Sequence, residues 1–325
     1  MLYDSVIVGG GIAGLQAAIQ LGRYEHEVIV IDAGYGRSTL CRCYHNLLGW
    51  PDGVSGEKLR QLGLIHAKKL GIQFFQDKAI DAKKTEEGFV VHTAKSGRAF
   101  RGRTLLLATG VLDRFPDVPG LIPCLGRSIY VCPDCDGYEV KERRTVVLGS
   151  GDSGASMART LTYWTDQMTY INHEQKPIHP KKQQFLAANG VEVISTPIQE
   201  IIETNGELQA VILEDGTKIE AERGFIAFGG NHVYSELAQR LGAERMENGH
   251  VVTDPRTKMT SVNNLWVAGD LGVHSEQVTI AMGEGTQAAI WMHKQLLKMG
   301  VVRRSKRNDA SSFQTAESQD KGVLV

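Results

Sequence analysis

Short apolar runs recur along the chain, separated by longer amphipathic stretches. Ser5–Val8, Val28–Ile31, Thr104–Ala108, Val146–Leu148, Phe225–Phe228 and Leu265–Ala268 are continuous rather than alternating. Such continuity suits parallel strands covered on both faces. Asp215-Gly216 and Ser96-Gly97 each sit between two short runs and read as hairpin turns. The pattern predicts an α/β class with added hairpins.

Two of the strands run straight into glycine-rich turns. Gly9-Gly10-Gly11-Ile12-Ala13-Gly14 follows Ser5–Val8 and opens a helix running to about Leu21. In this spacing Gly9 permits a tight turn, Gly11 admits a pyrophosphate to the backbone, and Gly14 allows close packing of helix on strand. The N–H groups and dipole at the helix start then hold phosphate. Asp32 closes the next strand, where an acid receives a ribose hydroxyl. Gly149-Ser150-Gly151-Asp152-Ser153-Gly154 repeats the arrangement after Val146–Leu148. Two such units predict two Rossmann-like dinucleotide-binding domains, of three-layer ββα architecture, and FAD with a nicotinamide cofactor is the usual pair. A third signal assigns FAD to the first. Leu265–Ala268 ends in Gly269-Asp270, where Asp270 reaches the ribityl chain. Gly283-Glu284-Gly285 lies in a helix whose start, near Gln277 and Val278, stabilises negative charge on a flavin ring. Ala108-Thr109-Gly110 marks the crossing into the second domain.

Cys132-Pro133-Asp134-Cys135-Asp136-Gly137-Tyr138 carries the candidate chemistry. Pro133 suits a first helical position, which puts Cys132 at a helix start, where a thiolate is stabilised. A Cys-x-x-Cys disulfide closes a small loop and turns over readily. Asp136 is placed to move a proton during exchange. Half of a zinc site is the structural alternative, but Cys41-x-Cys43 is not a typical second pair, and the reading carries no metal. Cys41, Cys43 and His45 form their own small cluster, read as ordinary loop residues, with an auxiliary redox pair or a base near the flavin as the functional alternatives.

Composition narrows the classes. The 325 residues are 42% apolar and 22% charged with a net charge of −1, a globular profile without the basic footprint of a nucleic-acid or anionic-membrane binder. No apolar run reaches the ~18–20 residues of a membrane span. The N-terminus lacks a basic region, and Asp4 interrupts its apolar stretch, so a cytoplasmic location with chemical rather than structural thiols is expected. The polar segment 303–325 is expected to be a disordered tail.

Gly9–Gly14, Trp50-Pro51, Ala108-Thr109-Gly110, Cys132–Cys135 with Asp136, Gly149–Gly154, and Gly269-Asp270 with Gln277 occur in an order that resembles the low-molecular-weight thioredoxin reductases across nearly all of residues 1–300. The resemblance implies a discontinuous FAD domain, 1–115 plus 242–302, around a pyridine-nucleotide-type domain, 116–241, that carries the dithiol. It also implies a homodimer, Cys135 beside the flavin, Cys132 attacking the substrate disulfide, Asp136 as proton donor, and a thioredoxin-like protein or small disulfide as partner. One stretch departs from that family. Where it has His-Arg-Arg-x-x-x-Arg to grip the 2′-phosphate of NADPH, this chain has Asn172-His173-Glu174-Gln175-Lys176-Pro177-Ile178, with His179, Lys181 and Lys182 just beyond. Glu174 repels a phosphate, so NADPH is expected to serve poorly. The donor is then NADH, with Glu174 on its ribose, or a protein electron carrier. Ala108–Val111, Phe115–Gly120, Tyr44-His45-Asn46 and Gly49-Trp50 are similar to the gliotoxin-type dithiol oxidases, which implies the reverse direction with oxygen as the alternative. A third reading, a flavin-binding redox sensor, needs no nicotinamide donor.

Overall fold

In the computed structural model, residues 1–303 and 305 are described, so the predicted tail from 306 onward, with Arg304, lies outside the described residues. The contacts of the chain divide it into two units: residues 1–36, 59–111 and 233 onward form the first, and residues 37–58 and 112–232 the second.

In the first unit, strand Leu2–Val8 pairs in parallel with Val28–Asp32 and with Ala99–Leu107. Gln73–Gln76 extends the sheet on one side, and Leu265–Val267 pairs in parallel with Leu105–Leu107 on the other. The continuous apolar runs are explained by the two faces of this sheet. Val6, Val8, Ile29, Ile31, Leu105 and Leu107 enter one core, while Ile7, Val28, Val30 and Leu106 enter another. Each buried side chain of this size contributes roughly 1.5–3 kcal/mol. Helices Ile12–Arg23 and Val278–Lys298 cover the second face. They meet backbone to backbone, because a Cβ on Gly285 would stand 2.3 Å from the Ala13 carbonyl oxygen. The Ser96-Gly97 turn is present as expected. It lies between the antiparallel strands Gly88–Thr93 and Ala99–Leu107, and Gly97 takes the left-handed φ of +63° that the turn needs.

The second unit is built on the same plan. Its all-parallel sheet runs Glu192–Ile194, Met168–Asn172, Thr145–Gly149, Arg223–Ala227, Ile129–Tyr130. Val146, Leu148, Ile171 and Ile226 face one core; Val147, Tyr170 and Phe225 face the other, which helix Gly151–Leu161 covers. A separate antiparallel sheet of Ile198–Thr204, Glu207–Leu213 and Lys218–Glu220 carries the Asp215-Gly216 turn. The sequence reading places residues 37–58 in the first domain, but their contacts are with the second unit. The Arg42 N–H donates to the Gly126 carbonyl at 3.1 Å, and Gly126 is packed so closely under Leu40–Arg42 that a Cβ there would meet the Leu40 carbonyl oxygen at 2.5 Å.

Candidate active site: two glycine turns and a dithiol

The first turn is shaped for a dinucleotide. Gly9 has φ +108°, and a Cβ there would lie 2.2 Å from the Ala108 carbonyl oxygen. At Gly14 a Cβ would meet the Gly9 carbonyl oxygen at 1.9 Å. Gly11, by contrast, faces open space, with nothing within 4 Å of the position a Cβ would take. Crowding behind the turn and space in front of it are what a pyrophosphate against bare backbone requires. Asp32 accepts from the Gly10 N–H at 3.0 Å and from Arg60 Nη2 at 2.9 Å. An ionised carboxylate has about four acceptor sites, so a ribose hydroxyl can still be received. Arg60 is a residue the sequence reading missed. The residues of this unit therefore fit FAD.

The Gly269-Asp270 end of its strand is tied to helix Val278–Lys298 by a partly buried cluster, also missed. Glu284 accepts from the Gly269 N–H at 3.0 Å and pairs with Lys258 at 2.8 Å and His274 at 2.9 Å. Burial opposes the ionisation of Glu284, but His274 and Lys258 outweigh it and hold the carboxyl below its ordinary range. Burial likewise opposes charge on His274, yet Glu284 and the Ser275 and Gly269 carbonyls push its pKa up to about 9. Ala108-Thr109-Gly110 is tied locally: Thr109 Oγ1 donates to the Tyr234 carbonyl at 2.6 Å, and Gly110 accepts from the Tyr234 N–H.

The second turn has the same glycine spacing and a different mouth. Gly154 allows Tyr170 to pack, since a Cβ would stand 2.3 Å from the ring, and the Tyr170 hydroxyl donates to the Gly151 carbonyl at 2.8 Å. Gly149 lies against the Ala227 carbonyl. Asn172 occupies the place that Asp32 holds in the first unit, accepting from the Gly151 N–H at 2.8 Å. At Gly151, however, a Cβ would meet Lys176 Cβ and the Pro177 carbonyl oxygen at 3.0 Å. Glu174, expected on a ribose, is instead held by Arg114, at 2.8 and 3.0 Å, and by Lys176 at 2.8 Å. His173 accepts from the Ile198 N–H, and burial lowers its pKa. Ile178 is buried, and the His179 N–H and the Lys182 ammonium are both engaged at Asp152.

The dithiol lies where the sequence reading puts it, at the start of a short helix. Cys132 precedes helix Pro133–Asp136, with Pro133 first in it, and accepts at its carbonyl from the Asp136 N–H at 3.0 Å. The two sulfurs are 2.7 Å apart. The Cys135 thiol donates to Cys132 and lowers its pKa, which outweighs burial; the same bond raises that of Cys135. Cys132 is therefore the thiol of the pair that ionises more readily. Arg37 opposes the rise at Cys135 and is itself gripped by Asp113 through two hydrogen bonds of 2.7 and 2.5 Å. Burial and the Glu139 charge push Asp136 up to about 7, which suits a group that gives and takes a proton near neutrality. Gly137 is needed because Trp164 packs onto it, 2.6 Å from where a Cβ would stand. The 37–58 segment adds Cys41, whose pKa burial and Asp136 push up to about 12, and His45, 3.5 Å from Glu139. A thiol so hard to ionise is a poor nucleophile, which favours the ordinary-loop reading of Cys41. Among the described residues no group of three or more His, Cys, Asp or Glu side chains is placed to hold a metal ion.

Comparison with known proteins agrees with this geometry. Residues 3–285 match the family described as pyridine nucleotide-disulphide oxidoreductase. The chain is 27% identical over 328 residues to the thioredoxin reductase sirT of Leptosphaeria maculans, covering 94% of this chain and 98% of that one. It is 28% identical over 302 residues to the thioredoxin reductase of Bacillus subtilis (strain 168), covering 89% and 93%. Among solved structures, HlmI superposes with a TM-score of 0.81 at 26% identity, covering 97% of this chain and 96% of that one. Two glycine turns on parallel sheets with a Cys-x-x-Cys pair define a flavoprotein disulfide oxidoreductase that uses FAD. The chain belongs to the pyridine nucleotide-disulphide oxidoreductase family and is thioredoxin reductase-like.

Proposed function

We propose that this flavoprotein reduces the disulfide of a thioredoxin-like protein or of a small molecule, working as a homodimer in the cytoplasm. The carrying observation is the Cys132–Cys135 sulfur pair, 2.7 Å apart at the start of one short helix that also carries Asp136. Gly9, Gly11, Gly14, Asp32, Asp270 and the Gln277–Val278 helix start would hold FAD, which, once reduced by an electron donor, would supply two electrons to the Cys132–Cys135 disulfide. The resulting Cys132 thiolate attacks one sulfur of the substrate disulfide. A mixed disulfide forms, and the first substrate thiolate leaves with the Asp136 proton. Cys135 then attacks the Cys132 sulfur, releases the second thiolate, and restores the Cys132–Cys135 disulfide. Support for a thioredoxin-like partner is the similarity to the thioredoxin reductase of Bacillus subtilis.

The attacking thiol is tested by trapping. Cys135→Ser should accumulate a stable mixed disulfide between Cys132 and a thioredoxin probe, visible by non-reducing mass spectrometry, and Cys132→Ser should not; the opposite result reverses the roles. Light scattering at micromolar concentration should give a dimer mass, and a monomer mass overturns that part.

The second reading is a dithiol oxidase, in which a small dithiol is closed to a disulfide and oxygen is reduced to hydrogen peroxide. The Arg114–Glu174 pair across the second glycine turn favours it, because oxidation by oxygen needs no nicotinamide. Peroxide produced from a small dithiol in air, without any nicotinamide, would select this direction.

A further inference from the structure

Arg114 takes no part in the chemistry above, yet every arm of its guanidinium is engaged. Nη1 and Nη2 donate to the two oxygens of Glu174 at 2.8 and 3.0 Å, Nε donates to the Gly229 carbonyl at 2.8 Å, and Nη2 also donates to the Phe228 carbonyl at 2.9 Å. The Phe228 ring lies beneath, 5.8 Å away. The Arg114 backbone N–H donates to the Asn231 side-chain oxygen, and the Asn231 amide donates to Asp113. The sheet order gives these contacts their meaning. Glu174 follows strand Met168–Asn172, Phe228-Gly229 follows strand Arg223–Ala227, and strand Thr145–Gly149 with its glycine turn lies between them. A side chain bonded to the ends of both outer strands crosses the crevice above the middle one. In a doubly wound sheet that crevice is where a dinucleotide lies.

We propose that Arg114 is a built-in occupant of the second dinucleotide site, which excludes nicotinamide nucleotides by taking Glu174 and bridging to Phe228-Gly229. The closure deepens the disulfide-oxidoreductase reading and rests on it for its biological meaning: electrons then reach the protein from another protein or from a dithiol. Arg114 is 39% and Glu174 25% exposed, so solvent screens much of their attraction. What closes the site is the bidentate fit and the tether. An arginine fixed on the same unit acts at an effective concentration of about millimolar or more. A free nucleotide must displace it before its ribose can reach Glu174. The loop at Lys176 and Pro177, pressed on Gly151, narrows the same mouth.

The test is calorimetric titration of the FAD-loaded protein with NADH and, separately, with ADP-ribose, which carries no electrons. Wild type should bind neither with a micromolar Kd. Arg114→Gln should bind both at least tenfold more tightly, and NADH should then bleach its flavin at least tenfold faster. Glu174→Gln, which loses the bidentate grip but keeps an acceptor for ribose, should move in the same direction and serves if Arg114→Gln does not fold. Micromolar binding by the wild type, or unchanged or weaker binding by the variants, overturns the closure. A failure of the disulfide-reductase reading shows elsewhere: chemically reduced protein would not reduce any disulfide, whatever the titrations give.

Discussion

The two glycine turns share a spacing and part company at their mouths. At Gly11 nothing lies within 4 Å of a notional Cβ; at Gly151, with its φ of +48°, a Cβ would lie 3.0 Å from both Lys176 and Pro177. The acid of the first turn, Asp32, meets Gly10 and a single arginine. The acid near the second, Glu174, is gripped by Arg114 and Lys176, and together these hold its carboxyl well below the usual range. A glycine motif therefore records how a strand turns into a helix. Whether a nucleotide reaches that turn is decided by the side chains that other segments bring in front of it.

The most severe way to break this comparison is a methyl group at each turn. Gly9→Ala places a Cβ against the Ala108 carbonyl at a positive φ and should abolish FAD retention, read as loss of visible flavin absorbance in purified protein. Gly151→Ala should leave the FAD content intact, and equal loss in both variants would mean that the turns are not separate in function. The dithiol gives the next largest effect. Cys132→Ser or Cys135→Ser should lower disulfide turnover by at least about 10³-fold while flavin absorbance is kept; a variant with near-normal turnover would remove the pair from the mechanism.

A smaller contrast lies between the acids. Asp32→Ala should weaken FAD binding by about one to two orders of magnitude, the effect of one charge-assisted hydrogen bond of roughly 1.5–3 kcal/mol. Glu174→Ala should leave FAD affinity unchanged, and FAD titration of the apoprotein decides. The smallest effect is a pH dependence confined to the first unit. His274 has its folded pKa raised to about 9, above its ordinary ~6.5. A raised pKa stabilises the fold fully below ~6.5, and that contribution disappears as pH climbs through about 9. The melting temperature should fall by several degrees between neutral pH and pH ~10, and His274→Gln should flatten that slope. A slope that persists in the variant assigns it to another group.

Much of the first site was legible because its signals are local. Gly9, Gly11, Gly14 and Asp32 follow from one strand, one turn and the next strand, and the hairpins at Ser96-Gly97 and Asp215-Gly216 are likewise local. Cys132, Cys135 and Asp136 lie within five residues, and Pro133 announces the helix they start. The Lys258–Glu284–His274 cluster was not legible, because each member alone reads as an ordinary surface charge. Nor was the grouping of residues 37–58 with the dithiol unit, which depends on backbone bonds such as that between Arg42 and Gly126.

By itself the sequence determined the alternation of strands and helices, the two glycine turns, the flavin assignment and the dithiol. Each of these is written in neighbouring residues whose spacing the backbone converts directly into geometry. It also showed that the 2′-phosphate arginines were missing, and from Glu174 it led to a ribose acceptor. Only the tertiary structure decided what Glu174 meets. Arg114 is 60 positions away from it and 114 from Phe228. The two are brought together because the parallel sheet lays the ends of strands Met168–Asn172 and Arg223–Ala227 on either side of the second turn. No local spacing encodes a contact that depends on strand order, so the occupant of a site can be seen only once the sheet has formed.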